Sequence, residues 1–419
     1  MAEVGGWMRR MVAGWLALAA TVGACATALA IGPDQEVGQR FLVRPTDLPA
    51  PFATANALNS STAIRRPPGA TLRLPPGFTA SLFAEDLGDA RWLTVAANGD
   101  VFLAESQDGR VTLLRDADGD GKAELRAPFI QGLRRPHGMA VRPDGFYVVD
   151  TERVWRLPYQ PGDLRPRGAP VPVTPAAAFG GAGGHWTRGL VFSPDGQRFY
   201  VPIGSATNHN EERAPRAGIL EFTANGQRSR LFASGLRNPV GIAFRPGSDD
   251  LWTVVNERDG LGDGLVPDYL TKVVDGGFYG WPYSYIGQNP EPRLGGRRPD
   301  LVATARVPDV LFTSHSAPLG LVFYTGAMFP PEYQGDAFVA LHGSWNSGAP
   351  TGYKIARIRF RDGKPVGGYE NFATGFWANG DSNAEVWGRP VGLAIARDGA
   401  LLVADDEGSA VWRIAYRGR

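Results

Sequence analysis

Cysteine is almost absent from this 419-residue chain: Cys25 is the only one, so no intramolecular disulfide can form and stability must come from packed sheets. No C-x-x-C-H occurs, which excludes covalently attached c-type haem. No G-x-G-x-x-G opens a helix after a strand, which argues against a nicotinamide fold, and no G-x-S-x-G nucleophile elbow is present. An excess of charge of one sign is missing too. Lys and Arg number 43 against 42 Asp and Glu, with no basic block and no interleaving of basic and aromatic residues, so nucleic acid is not an expected partner. A small neutral or weakly charged ligand suits that balance.

Glycine (55) and proline (34) are abundant, as a turn-rich all-β chain requires. They punctuate a recurring phrase in which an apolar alternation, a turn such as Asn-Gly or Asp-Gly, and a second alternation follow one another. Copies begin at Trp92 (WLTVAANGDVFLAES), Pro136 (PHGMAVRPDGFYVVDT), Thr187 (TRGLVFSPDGQRFYVPIG), Asn238 (NPVGIAFRPGSDDLWTVVN), Ala317 (APLGLVFYTG, then GDAFVALHG) and Arg389 (RPVGLAIARDGALLVADD). Period-two alternation broken by such turns marks β-hairpins, and six tandem copies predict an all-β, six-bladed β-propeller with long inter-strand loops. The copies share Thr79 to Arg419, about 57 residues each, against roughly 40–50 in common propeller repeats. The surplus falls in loops, the largest between Glu257 and Ser316 and between Gly343 and Trp387, where sites are usually built. The strand-like FTASLFAED from Phe78 and the terminal SAVWRIAY are expected to pair and close the ring, which removes a free sheet edge.

Residues 1–30 read as an export signal: Arg9 and Arg10 precede the apolar run Met11 to Ala24, and Ala28-Leu29-Ala30 offers a cleavage site. Two alternatives stand beside cleavage by signal peptidase. The run Met11 to Ile31 is long enough for a membrane anchor, and Cys25 in VGAC offers lipoprotein processing. Arg9-Arg10 is compatible with twin-arginine export. A periplasmic or secreted protein is expected, touching membrane only through such an anchor or lipid. Residues 31–76, rich in Pro, Ala, Thr and Asn, read as an extended arm, and 77–419 as the propeller.

The starts of a propeller's blades converge on one channel, so Trp92, His137, His185 with Arg188, Arg237 with Asn238, and Arg389 become candidates together. His185 stands out because GGAGGHWTRG approaches it through glycines that let backbone pack against a ligand. A neutral imidazole suits a general base, and an arginine fork beside it binds carboxylates or steadies an oxyanion. The plainer reading of Arg237 and Arg389 is as ion pairs between blades, and His209, His315 and His342 lie in loop-like sequence. Two acidic loops suggest metal. DADGDGKAE sets Asp116, Asp118 and Asp120 at alternate positions with Gly121 and Glu124 following, like the start of an EF-hand loop, although Ala127 stands where the bidentate glutamate belongs. NERDGLGDGLVPDYL carries Glu257, Asp259, Asp263 and Asp268 with a spacing that fits no single template.

Four phrases in this order, GLRNPVGIAF, PDYLTKVVDGGFYGWPYSYIGQ, HSAPLGLVFYTG and FVALHGSWNSGAPTGYKIARI, resemble the bacterial glucose/sorbosone dehydrogenase family, soluble sugar dehydrogenases that depend on pyrroloquinoline quinone. RDADGDGKAE resembles a segment of related propeller dehydrogenases, and the likeness covers roughly Phe78 to Arg419. The resemblance implies that His185 takes the proton of the sugar C1 hydroxyl while hydride passes to C5 of the quinone. It implies that Arg237 and Asn238 polarise the quinone oxygen, that Arg389 binds cofactor carboxylates, and that a calcium ion is held near Glu257, Arg258 and Asp259, mainly by backbone oxygens. His137, at an earlier blade start, joins the cofactor-binding candidates. Where the glucose enzymes carry a cofactor lysine, this chain has HGSWN, leaving His342, Ser344 and Lys354 as alternatives; where they carry a second arginine, it has Trp387. The expectation is an exported quinoprotein that oxidises a sugar C1 hydroxyl or a sorbosone-like aldehyde and passes electrons to an external quinone or cytochrome. Two rivals remain: a calcium-dependent propeller lactonase or other hydrolase, and a non-catalytic binding propeller.

Overall fold

The five residues of Val101–Glu105 are all buried, which shows why these repeats stack as sheets covered on both faces. Successive side chains of a strand point to opposite faces. Phe102 and Ala104 accordingly pack with Phe146 and Leu157 on one side, while Val101 and Leu103 pack with Leu402 and Val411 on the other. The same division recurs at Leu251 and Trp252, which enter different clusters from adjacent positions.

The computed structural model describes residues 33–418, so the export signal and Cys25 lie outside the described residues. Six antiparallel sheets account for most of the chain. The first holds Ala90–Val95, Val101–Glu105, Arg110–Arg115 and Leu125–Gln131; the second Met139–Arg142, Gly145–Val149, Val154–Leu157 and Val171–Pro172. The third runs Val191–Phe192, Arg198–Ile203, Gly218–Thr223 and Ser229–Ser234, with Gly277–Phe278 added in parallel. The fourth holds Asn238–Phe244, Leu251–Asn256, Tyr269–Val273 and Val310–Leu311. The fifth runs Pro318–Phe323, Ala337–Leu341, Lys354–Ile358 and Tyr369–Ala373, with Arg40–Phe41 at its outer edge. The sixth joins Pro390–Ile395, Leu401–Asp405 and Ala410–Tyr416 to Phe78–Ala84. The expected pairing of the two chain ends is therefore present, in register from Phe78 opposite Tyr416 to Ala84 opposite Val411.

The first strand of each sheet packs beside the first strand of the next, and Pro390–Ile395 returns to Ala90–Val95. Six apolar clusters fill the spaces between neighbouring sheets, so the core is distributed and not central. The fold is all-β. Among the described residues the only α-helix is the single turn Pro299–Val302, and no helix is long and apolar enough to cross a membrane.

Between Pro33 and Pro76 the chain follows the sheets' surface. Arg40–Phe41 pairs with Tyr369–Ala373, and Thr62–Ala63 pairs in parallel with Glu385–Val386. The segment from Phe52 to Asn59 ties together two long loops: Phe52 donates to the Leu261 carbonyl, Asn56 accepts from Gly262, and Asn59 bonds the carbonyls of Trp345, Ser347 and Ser382.

Candidate active site

The first strands bring polar side chains from five of the sheets to one cavity of about 320 Å³. His185 enters just ahead of the third sheet. Its Nδ1 lies 2.9 Å from the Ser205 carbonyl and 3.0 Å from the Ser205 hydroxyl, and the hydroxyl itself donates to the Thr207 carbonyl. A carbonyl can only accept, so Nδ1 carries the proton and Nε2 keeps its lone pair. Burial, then the Arg237 guanidinium, lowers this imidazole to about 4, so it is neutral at ordinary pH. The close approach depends on Gly204, where a Cβ would stand 2.4 Å from Asn238 Oδ1 and 2.5 Å from His185 Cβ.

Arg237 and Asn238 begin the fourth sheet. The buried guanidinium of Arg237 donates to the Glu257 carbonyl (2.6 Å), to Asn208 Oδ1 (2.9 Å) and to Asp259 Oδ2 (3.2 Å). Asn238 Oδ1 is buried and has no partner among the described residues. Asp259 is held below the usual carboxylate range in spite of burial, because His315, Arg237 and Asn346 surround it. Asp268 accepts from the Glu257 and Ala317 amides, yet complete burial pushes it up to about 7.

The opposite wall comes from the fifth and sixth sheets and from Arg91 in the first. Arg389 donates to the carbonyls of His342 (3.1 Å) and Gly343 (2.9 Å) and forms no ion pair among the described residues. His342 Nε2 lies 2.9 Å from Asp406 Oδ1, and Asp406 also pairs with Arg91, whose guanidinium lies over the Trp186 ring. Trp345 and Asn346 complete the rim. Two guanidinium groups are thus matched by carboxylates and the third, Arg389, meets only neutral carbonyls, so the cavity suits an anionic group at that wall.

Of the residues proposed from sequence, His185, Arg237, Asn238, Glu257, Asp259, Asp268, His315, His342 and Arg389 line this cavity, whereas His137, Arg188, Arg258, Ser344, Lys354 and the Asp116 turn do not. His137 is fully buried behind it, its ring tilted against Trp92 at 4.4 Å and edge-on to Trp186 at 5.8 Å, with burial pushing its imidazole far below the ordinary value. Lys354, offered for the cofactor, points to the outer side of its sheet, bonds the Asp34 carbonyl and carboxylate and lies over Phe41. The reason is alternation: the strand Lys354–Ile358 is covered on that side by the N-terminal arm. Arg188 braces the glycine loop through the Gly181, His185 and Thr187 carbonyls. Arg258 is fully buried between Glu257 and Glu291. Of the carbonyls expected to hold calcium, Glu257 accepts a hydrogen bond from Arg237, and Asp259 accepts from Asn208 and Arg293. Asp116, Asp118, Asp120 and Glu124 do gather within 4.8 Å of one another, on an exposed turn of the first sheet.

Sequence reasoning passed over Arg91, Trp186, Asp406 and the rim pair Trp345 and Asn346. Arg91 adjoins a blade start, a usable signal; Asp406 ends a strand and gives none.

Residues 72–266 and 301–417 match the TrAA12-like family, and the chain belongs to that family. Among curated proteins it is 34% identical over 238 residues to an uncharacterized protein of Borreliella burgdorferi, covering 55% of this chain and 61% of that one. It is 26% identical over 439 residues to a pyrroloquinoline quinone-dependent pyranose dehydrogenase of Coprinopsis cinerea, covering 85% of this chain and 56% of that protein. The chain therefore spans roughly three-fifths of the length of these curated relatives. Among solved structures, the holo quinone domain of the Coprinopsis cinerea pyranose dehydrogenase superimposes with a TM-score of 0.70 at 23% identity, covering 84% of this chain and 98% of that one. A calcium structure of a Trichoderma reesei family AA12 enzyme gives 0.69 at 19%, covering 84% and 100%. At these identities the superpositions establish the fold.

Proposed function

We propose that this protein is a pyrroloquinoline quinone-dependent sugar dehydrogenase built as a closed six-bladed propeller. The observation that carries the reading is the convergence of a neutral, carbonyl-held histidine, the Arg237–Asn238 pair and an unpaired Arg389 on one cavity. Six stacked sheets and the return of the last to the first support the propeller; the named relatives support the quinone and the sugar.

The residues present fit a planar tricarboxylate. Arg389 offers a fork with no carboxylate of its own, buried Asn238 Oδ1 lacks a partner, and about 320 Å³ is within the range of small-molecule sites. The bound quinone would supply the two-electron oxidation that no side chain here can perform. The protein's part is acid–base and electrostatic. His185 Nε2 receives the hydroxyl proton of the sugar, and the resulting imidazolium keeps its Nδ1–H on the Ser205 carbonyl while Asp259 offsets the new charge. Arg237, held by five oxygens in a buried setting, is pre-oriented to stabilise negative charge as it develops. The export signal read from residues 1–30 supports a reaction in the periplasm or outside the cell, with an external quinone or cytochrome taking the electrons. Calcium belongs to the same proposal, and the turn at Asp116 to Glu124 supplies a carboxylate set that suits it.

Spectral titration of the purified protein with the quinone, followed by aldose oxidation with a dye acceptor, tests the reading. His185→Ala should bind the quinone and turn over about 10²-fold more slowly, as expected for a lost base. Turnover within about threefold of wild type would remove His185 from the role. Activity that survives exhaustive chelation, with no calcium by elemental analysis, would remove the metal.

A further inference from the structure

Three imidazoles line the cavity; His315 has both nitrogens turned to protein, towards Asp259 and the Gly262 carbonyl, and of the other two, which have opposite proton placement, only His185 has a task so far. His342 Nε2 faces both oxygens of Asp406, at 2.9 and 3.1 Å. Asp406 is held far below the usual carboxylate range, with His342 and Arg91 offsetting the effect of burial, so it is ionised and can only accept. The proton of His342 therefore sits on Nε2. Its Nδ1 makes no hydrogen bond among the described residues, and the ring lines the cavity. A histidine that merely braces two elements ordinarily has both nitrogens engaged. At His185 the arrangement is reversed, with Nδ1 tied and Nε2 free.

Oxidation of one CH–OH to C=O releases two electrons and two protons, and two equivalents of a one-electron acceptor remove the electrons. His185 accounts for the hydroxyl proton; the proton corresponding to the transferred hydride must also leave the cavity. We propose that His342, backed by Asp406 and Arg91, is the second acid–base residue of this site, taking up at Nδ1 the proton released as electrons pass to the external acceptor. The imidazolium so formed is paired with Asp406, gives its proton to solvent, and returns to the neutral tautomer. In the balance, one CH–OH group and two oxidised acceptors give one C=O group, two reduced acceptors and two protons.

The charged groups around His342 set its readiness. Arg389 and Arg91 disfavour the imidazolium and Asp406 favours it; Asp89 faces the Arg91–Asp406 pair, and Asp405 is fully buried beside Asp406. Burial and Arg389 together lower His342 to about 4. An anion drawn to Arg389 offsets the repulsion, so ligand binding itself makes His342 a better base.

The inference rests on the sugar-oxidation reading, and the test separates the two. In the ligand-free protein, 15N-histidine NMR should show His342 with Nδ1 unprotonated and Nε2 protonated, and His185 with the reverse. In quinone-loaded protein, stopped-flow measurement of the two half-reactions should show His342→Gln slowing reoxidation by a one-electron dye at least about tenfold, with a smaller effect on reduction by sugar. Added imidazole should restore part of the loss, which a purely structural role would not allow. A wild-type His342 protonated on Nδ1, or equal slowing of both half-reactions without rescue, overturns the assignment. Failure to bind the quinone at all overturns both readings; normal binding and reduction with unimpaired reoxidation in His342→Gln overturns this one alone.

Discussion

Gly204 shows how a single hydrogen in place of a methyl sets a site. The residue lies between His185 and Asn238 at distances no side chain tolerates, 2.5 Å to one Cβ and 2.4 Å to the other's Oδ1. Either the histidine or the amide must move if a Cβ is added, and the strand Arg198–Ile203 just before it is too well packed to yield. Gly204→Ala is expected to fold, since the sheets are untouched, and to lose turnover by about 10²-fold, the scale of a misplaced reacting group. Circular dichroism and turnover measured on the same sample check this; wild-type activity would mean that the loop relaxes freely. His185, Arg237, Asn238 and Arg389 were legible at this scale because each opens a repeat. Asp406 was not, because its partners His342 and Arg91 stand 64 and 315 residues away.

At the scale of elements, the N-terminal arm does more than its composition announces. Read from sequence as an extended arm, it covers Lys354, whose ammonium is fully buried and depends on Asp34. Burial lowers the lysine's proton affinity and Asp34 raises it, so the pair survives as an ion pair only while the arm stays docked. Removing one partner of a buried pair leaves an uncompensated charge, whereas replacing both partners by apolar groups of similar volume is often nearly neutral. Asp34→Ala should therefore cost about 3 kcal/mol or more, and the paired replacement Asp34→Leu with Lys354→Met much less. Urea unfolding of both variants decides it, and equal losses would show that the arm's packing and not its charge holds it down. The same arm fixes the rim. Asn59 bonds the carbonyls of Trp345, Ser347 and Ser382, so the loop bearing Trp345 and Asn346 is tied to a segment nearly 290 residues earlier in the chain.

For the whole molecule, buried titratable groups pull stability in opposite directions as pH falls. His185 and His342 are lowered to about 4, from an ordinary value of about 6.5. Between those values the unfolded chain binds protons that the folded one refuses, so their contribution to stability declines as pH drops through that window. Asp268 and Asp405 are raised to about 7 by complete burial, so from about 7 downward the folded state takes protons first and stability rises. A variant carrying His185→Gln and His342→Gln keeps only the second effect. Its melting temperature relative to wild type should rise steadily between pH 7 and pH 5; a constant difference in calorimetry would show that these imidazoles titrate normally.

By itself the sequence determined that this chain is a series of hairpins, where the turns fall, and that Phe78–Ala84 belongs beside the last strand. Those features follow from alternation and turn chemistry, which are local. It also nominated the side chains at the repeat starts. Which of them share a cavity was decided only when the sheets packed side by side: His137 follows the same sequence logic as His185 and Arg389, yet it lies behind a tryptophan, and Lys354, offered by the family resemblance, lies under the arm. The pairings that set charge and proton placement, Asp406 with His342 and Arg91, Asp259 with Arg237 and Asn346, Asp34 with Lys354, join residues from different sheets and loops. No local pattern encodes them, because the energy of a buried charge depends on the partner that the closed fold brings to it.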